Sequence, residues 1–220
     1  MIFLGFIGYV LVLRIPSMLS KSLSKSFQVS VTMQDLSLSF HHVDIEQFAI
    51  ANLPNQKLRT ALQIQHSHVT APLTEYTKEH IVIEEISLDN VYLGLEFDSA
   101  KSTKGNWSVL MQHLENSTSA THDKTVLIRK LIITNLTVEV AYLGKDGSRK
   151  TLPVIDRLEL FDIQNDQGIP TEQILHSILG QMLKSVFIKE NLKNMLDTIL
   201  KVPNKSLDTL LSPLKGLFGG

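Results

Sequence analysis

The sequence predicts an α+β protein: a curved, mostly antiparallel β-sheet of repeated kinked strand pairs, with an N-terminal membrane helix and C-terminal amphipathic helices. Three observations predict this class. The N-terminus is continuously apolar, strand-like phrases repeat in the middle, and apolar residues change to helical spacing near residue 168. The predicted divisions are an anchor at 1–19, a linker at 20–26, a sheet domain at 27–167 and helices at 168–220.

The repeat concerns the phrase IEEISLDNVY at 83–92, which recurs as IRKLIITNLT at 128–137. Apolar residues match apolar residues, and Asn90 matches Asn135. In each copy the alternating apolar residues change parity at the Asn, so a strand with period two must kink there. Asn tolerates the left-handed backbone conformation that such a kink needs. Two weaker copies share this polar punctuation, 45–53 with Asn52 and 155–163 with Asp162.

The N-terminal run IFLGFIGYVLVL at 2–13 continues beyond Arg14 to Leu19. A bilayer span needs about 20 apolar residues, and Arg14 is close enough to one end to snorkel. No Ala-x-Ala-like cleavage site follows, so the run predicts an uncleaved anchor. Basic residues follow the run rather than precede it, which opposes an N-in orientation unless the start codon is assigned too late. The alternative is a buried core helix.

Helical spacing appears in two places. A short helix is predicted from Asn106, with Trp107, Leu110, Met111 and Leu114 on one side. Amphipathic helices are predicted after residue 168, where apolar residues recur at intervals of three and four. Both sets could cover an apolar sheet face.

Composition excludes several functional classes. The net charge of −1 and the pI near 6.7 give no basic surface for nucleic acid. The absence of cysteine excludes disulfides, thiolate catalysis and cysteine-bound metals. No P-loop, GxSxG or dinucleotide-binding turn is present, so the sequence predicts neither an enzyme nor a cofactor.

The histidines raise one chemical alternative. Leu62, Ile64, His66 and His68 are predicted to share one strand face, which would bring the two imidazoles within reach of one metal ion, with Asp44 as a further ligand. No HExxH or comparable signature accompanies them. A metal-dependent hydrolase using His41, His66 and His68 is therefore the third-ranked hypothesis, and no metal site is predicted.

The order of these parts resembles a known family. The strand ending FAIANLP at 48–54 and the helix start GNWSVL at 105–110, with Leu114, follow the apolar anchor in sequence. This order resembles short AsmA-like proteins of the Gram-negative envelope, relatives of AsmA and TamB. The resemblance covers Gln28 to about Leu183. The family's usual Gly before the first strand and its Gly-Phe after the Asn-Pro phrase are missing here.

The resemblance implies a single-pass inner-membrane protein whose bulk is periplasmic and whose apolar sheet face binds or shields lipid acyl chains in envelope biogenesis or phospholipid transport. Expected partners are the membrane, phospholipid, and other envelope proteins that contact a sheet edge or the C-terminal helix, with no nucleic acid. The residues predicted to face lipid are the apolar residues of the two repeats: Ile86, Leu88, Leu93, Leu95, Leu131, Ile133, Val138 and Val140.

A second hypothesis is a structural or assembly protein of the envelope that binds no lipid, in which the protein's own C-terminal helices close the sheet. Burying apolar surface stabilises by about 25 cal/mol per Å² whether lipid or protein covers it. The sequence therefore leaves both hypotheses open.

Overall fold

The structure is a computed structural model, and it describes residues 16–98, 105–117, 125–143, 148–163, 169–170 and 174–189. This part of the chain is α+β: one open, mixed but mostly antiparallel sheet with three helices. Most of the predicted anchor and the predicted helices beyond residue 189 lie outside the described residues. Within those ranges no helix has the length and apolar character needed to cross a membrane.

The elements follow one another along the chain as strands with three helices between or beside them. The strands are β1 (Val31–Thr32), β2 (Asp35–Leu38), β3 (His42–Ala51), β4 (Thr60–Thr70), β5 (His80–Ile83), β6 (Glu85–Phe97), β7 (Thr125–Tyr142), β8 (Arg149–Thr151), β9 (Ile155–Ile163) and β10 (Ile169–Pro170). The helices are α1 (described over 16–27), α2 (Asn106–Ser117) and α3 (Ile174–Lys189), and a 3-10 turn spans Leu73–Thr77.

Helix α1 corrects the prediction of a linker at 20–26. The described residues 16–27 are helical, and Leu23 and Phe27 pack against the main core. Leu19, Leu23 and Phe27 are spaced by four, so they lie on one side of the helix. This apolar stripe packs α1 against the sheet. The Ser and Lys residues between the three apolar residues make the segment look like a polar linker in the sequence.

The strands lie side by side in chain order. β1 and β2 pair with β3, β3 with β4, and β4 with β6, all antiparallel. β5 and β6 pair with β7 in parallel. This is possible because α2 lies in the crossover connection between β6 and β7. β8, β9 and β10 pair antiparallel with the other side of β7, so together they act as one interrupted edge strand.

The predicted kinks at Asn90 and Asn135 are confirmed. Both residues are left-handed, with φ of +53° and +51°. On β6 the buried side chains are Ile86 and Leu88 before the kink and Val91 and Leu93 after it, so the buried parity changes at Asn90.

These kinks form a line across the sheet. Register places Asn90 beside Asn135 and also opposite Gln65 of β4, which lies opposite Gln47 of β3. Gln47 is left-handed as well, with φ of +52°. We call these four residues the kink line; Gln65 is the member without a positive φ. Because neighbouring strands change parity at the same place, the apolar side chains stay on one face of the sheet.

A second change of parity was missed in the sequence. Ile81 and Ile83 are buried on β5 and Ile86 on β6, so the parity also changes near Glu84, between the two strands. Asp162 has φ of +48° and lies opposite Arg129 of β7. The polar residue predicted to kink β9 therefore lies level with this second change of parity, and not with the kink line. In β3, the kink lies at Gln47 instead of the predicted Asn52.

Replacing Asn90 with a β-branched residue tests the kink. We expect Asn90→Val to lower the free energy of unfolding by about 1–3 kcal/mol, because a left-handed backbone is strained for such side chains. Asn90→Gly should cost less, since Gly adopts positive φ freely. Urea unfolding of both variants measures the difference, and equal losses would show that the backbone conformation is not the cause.

Candidate functional site

The sheet has one apolar face, which faces the helices. Cross-strand register aligns its residues in rows. One row joins Ile45, Ser67, Leu88, Ile133 and Leu158. We call this side the apolar face and the opposite side the outer face. The outer face carries the pairs His66–Glu46 and His68–Asp44, whereas the apolar face presents mainly hydrocarbon side chains.

Helix α2 covers the part of the apolar face near Gly94. Its side chains Trp107, Leu110, Met111 and Leu114 are buried, and the Trp107 Nε1–H donates to the Gly94 carbonyl oxygen at 2.9 Å. A Cβ at position 94 would collide with the carbonyl oxygen of Thr60 on the neighbouring strand β4, so the close packing of β4 and β6 at this point requires glycine. The strand residues of this half belong to the same closely packed core.

A buried polar network fixes the start of α2 through Asn106. Its Oδ1 accepts the backbone N–H groups of Glu96 and Trp107, both at 2.9 Å. Its Nδ2 donates to Asn52 Oδ1 and to the Gly94 carbonyl, also at 2.9 Å. One side chain thereby joins α2, β6 and the loop after β3.

Glu96 continues this network with a fully buried carboxylate. Its Oε1 accepts the backbone N–H of Lys57 at 2.7 Å, and its Oε2 accepts that of Leu58 at 2.9 Å and Asn52 Nδ2 at 3.3 Å. Backbone donors compensate the loss of hydration that burial imposes. With all its oxygens engaged in holding the loop, Glu96 serves architecture.

The other part of the apolar face borders a cavity of about 580 Å³. The sheet forms its floor, α1 contributes Leu19 and Leu23, and α3 contributes Ile178 and Met182. Among the lining residues only Ser67 and Tyr76 carry a side-chain hydroxyl, and none is charged. The wall is therefore suited to an apolar ligand.

Tyr76 adds no charge to the wall. Its phenol is neutral at physiological pH with the ordinary pKa of 10.0, and partial burial raises that pKa further. The hydroxyls of Tyr76 and Ser67 are the polar groups that the lining side chains offer, which limits recognition of a charged headgroup inside the cavity.

The structure places the predicted lipid-facing residues in two groups. Ile86 and Leu88 line the cavity. The other six are buried in the core outside its lining: Leu93, Leu95, Leu131, Ile133, Val138 and Val140. A lipid-facing role for all eight stays a prediction. The cavity also uses α1 and the β2–β3 hairpin, which the sequence analysis missed; the four-residue spacing of Leu19 and Leu23 was the available signal.

The histidines lie elsewhere than predicted. Ile64 and Ser67 both line the cavity, so the parity of β4 changes between them and His66 and His68 lie on the outer face; the predicted shared face of four residues was wrong. The His68 Nδ1 lies 2.5 Å from an Asp44 oxygen, and the His66 Nδ1 lies 2.5 Å from a Glu46 oxygen. Among the described residues no group of three or more His, Cys, Asp or Glu could hold a metal ion.

No family model, curated protein or solved structure matches the chain. The sequence phrases 48–54 and 105–110 meet in space through the hydrogen bond between Asn106 and Asn52. Both phrases therefore serve to fasten α2 to the sheet beside the cavity.

Removing the Asn106 amide tests the network. We expect Asn106→Ala to lower the free energy of unfolding by about 2–4 kcal/mol, because several buried polar partners lose their hydrogen bonds at once. Asn116→Ala, at an exposed position of the same helix, should change it by no more than about 0.5 kcal/mol. Chemical denaturation compares the two, and a similar small effect for both would contradict the assigned role.

Stability should also depend on pH through His176 of α3. Burial lowers its pKa from the ordinary 6.5, and nearby Glu115 opposes this less strongly. The unfolded chain then binds the proton more tightly, so the stability contributed by neutral His176 is present above pH 6.5 and is lost as the pH falls toward the lowered pKa. Its buried Nε2 has no hydrogen-bond partner among the described residues.

The measurement is the urea midpoint of the original chain and of His176→Leu, from neutral to mildly acidic pH. The original chain should lose more stability on acidification than the variant. Parallel curves would exclude His176 as a source of the pH dependence.

Proposed function

We propose that this chain is a membrane-anchored periplasmic protein of the AsmA-like kind, and that it binds lipid acyl chains in envelope biogenesis or phospholipid transport. The apolar cavity between the sheet, α1 and α3 is the single observation that carries the proposal. The predicted anchor at 1–19 and the resemblance in sequence order support the location. Such a role needs binding rather than catalysis.

Size and chemistry favour an acyl chain as the ligand. At about 580 Å³ the cavity lies within the range of small-molecule sites, and its wall offers almost only hydrocarbon. Transferring a methylene from water into such surroundings is favourable by about 0.8 kcal/mol. A polar ligand would find almost no hydrogen-bond partners on this wall, whereas a long alkyl chain gains dispersion contacts along it.

The same chemistry makes binding reversible against a membrane. A bilayer interior is as apolar as the cavity, so moving an acyl chain between them exchanges one hydrocarbon environment for another. The acyl chain is therefore protected from water in the cavity and can still return to the bilayer. A lipid carrier or shield needs this balance.

A structural or assembly role without lipid remains the second candidate, because α2 does close part of the apolar face. Leu93 and Val138 are fully buried in the same core as Trp107 and Leu110. If helices closed the remaining part in the same way, no lipid would be held. The two candidates therefore differ only in what occupies the cavity.

Filling the cavity from its floor tests the proposal. Ser67 lies in the row between Ile45 and Leu88, and its side chain lines the cavity. We expect Ser67→Phe to reduce co-purifying lipid several-fold, because the ring occupies ligand space. Lipid per protein is measured by extraction and quantitative mass spectrometry of the full chain, and the unfolding midpoint verifies the fold.

Gln63→Phe is the matched control. It adds the same ring to the same strand on the outer face, at a half-buried position outside the cavity lining and the kink line, and it leaves the anchor and its surrounding lipid unchanged. Lipid should be retained in this variant. Equal lipid in both variants would exclude the cavity as the lipid site and favour the structural role.

A further inference from the structure

Large apolar side chains are exposed together around the mouth of the cavity. Leu19, Leu38 and Leu73 line the cavity and yet are 40%, 43% and 39% exposed. Met18 precedes Leu19 on α1 and is mostly exposed, and Phe40 at the tip of the β2–β3 hairpin is 82% exposed. We call these five residues the apolar rim.

The rim brings together three separate segments of chain. Phe40 is adjacent to Leu73, because the Leu73 N–H donates to the Phe40 carbonyl oxygen at 2.9 Å. Single exposed apolar residues are ordinary on protein surfaces, whereas a group continuous with an apolar cavity indicates an interaction surface.

Charge around the rim is compatible with a lipid surface. Beside Leu73, the Glu75 carboxylate accepts from the Lys78 ammonium at 2.5 Å, so this pair is neutral as a unit. Lys21 and Lys25 follow the rim on α1 and are exposed. Exposed cations next to apolar side chains suit the phosphate groups of a membrane interface.

The chain that precedes α1 determines the occupant. The apolar segment 2–13 ends six residues before Leu19, and that much chain spans at most about 20 Å even when fully extended. A segment of this composition has its lowest free energy in hydrocarbon. The rim is thereby held within reach of the bilayer that receives this segment, which favours lipid over a protein partner.

We propose that the apolar rim is a membrane-contact surface: Phe40 and its neighbours enter the interfacial layer of the bilayer, so that the mouth of the cavity opens onto lipid. This inference rests on the proposed function and deepens it, because it names the adjacent leaflet as the source of the acyl chain. A long-range route through water is then unnecessary.

The test uses fluorescent labels on the full chain. The protein contains no cysteine, so Phe40→Cys gives one labelling site. Phe161→Cys is the matched control, since Phe161 is 55% exposed and lies on β9 away from the cavity lining. Each variant carries an environment-sensitive dye and is reconstituted in vesicles of phosphatidylcholine with a minority of phosphatidylglycerol.

Nitroxide-labelled lipids and aqueous iodide then report the surroundings of each dye. We expect the dye at position 40 to be quenched several-fold more by the nitroxide lipids than the dye at 161, with the opposite order for iodide. Iodide quenching at position 40 equal to that at 161 would overturn the inference. Protection at position 40 from both quenchers would overturn it too, because that indicates a protein partner.

Lipid extracted from the same samples separates the two proposals. If the dye at position 40 is in water but Ser67→Phe still reduces the bound lipid, the rim inference fails and the proposed function stands. If the dye is in the bilayer but Ser67→Phe leaves the lipid content unchanged, the contact surface is supported and the cavity is excluded as the acyl-binding site.

Discussion

The structure depends on one constraint: neighbouring strands change side-chain parity at the same level, and in β3, β6 and β7 a left-handed residue makes that change. A strand side chain points to alternate faces, so an unkinked strand with this sequence would send half of its apolar residues to solvent. Gln47, Asn90 and Asn135 accept positive φ in register with one another. Their alignment is what gives the sheet a single apolar face, and every cover and cavity follows from that face.

Two different covers divide that face. Near Gly94, hydrogen bonds from Asn106 and Trp107 hold α2 against β6, and the apolar side chains of α2 are buried there. Elsewhere α1 and α3 contribute side chains to the wall of the cavity, whose floor is the sheet. A buried polar network costs desolvation unless it is fully satisfied, and here nearly every polar atom of Asn52, Glu96 and Asn106 has a partner. The apolar face is therefore covered by the firmly attached α2 in one part and borders the cavity in the other.

Periodicity was sufficient to predict the kinks at Asn90 and Asn135, the α+β class and the short helix after Gly105. It was insufficient where polar residues interrupt the signal. The Ser and Lys residues of 20–26 hid the stripe of α1, and Gln65 gave no sign of the change of parity that separates Ile64 from His66. The cavity itself could not be predicted, because it depends on how α1 and α3 pack on the sheet, which side-chain patterns do not encode.

The order of strands in space has a consequence for how such a protein changes size. Since β3, β4, β6 and β7 cross the sheet in chain order, and the parallel pair β6 and β7 repeats the same kinked phrase, duplication of a strand and its crossover helix inserts a further strand without changing the order of the rest. The new strand brings its left-handed residue into line with the others. Gene duplication alone could therefore widen the apolar face step by step, and capacity for ligand would grow by modules rather than by redesign of the fold.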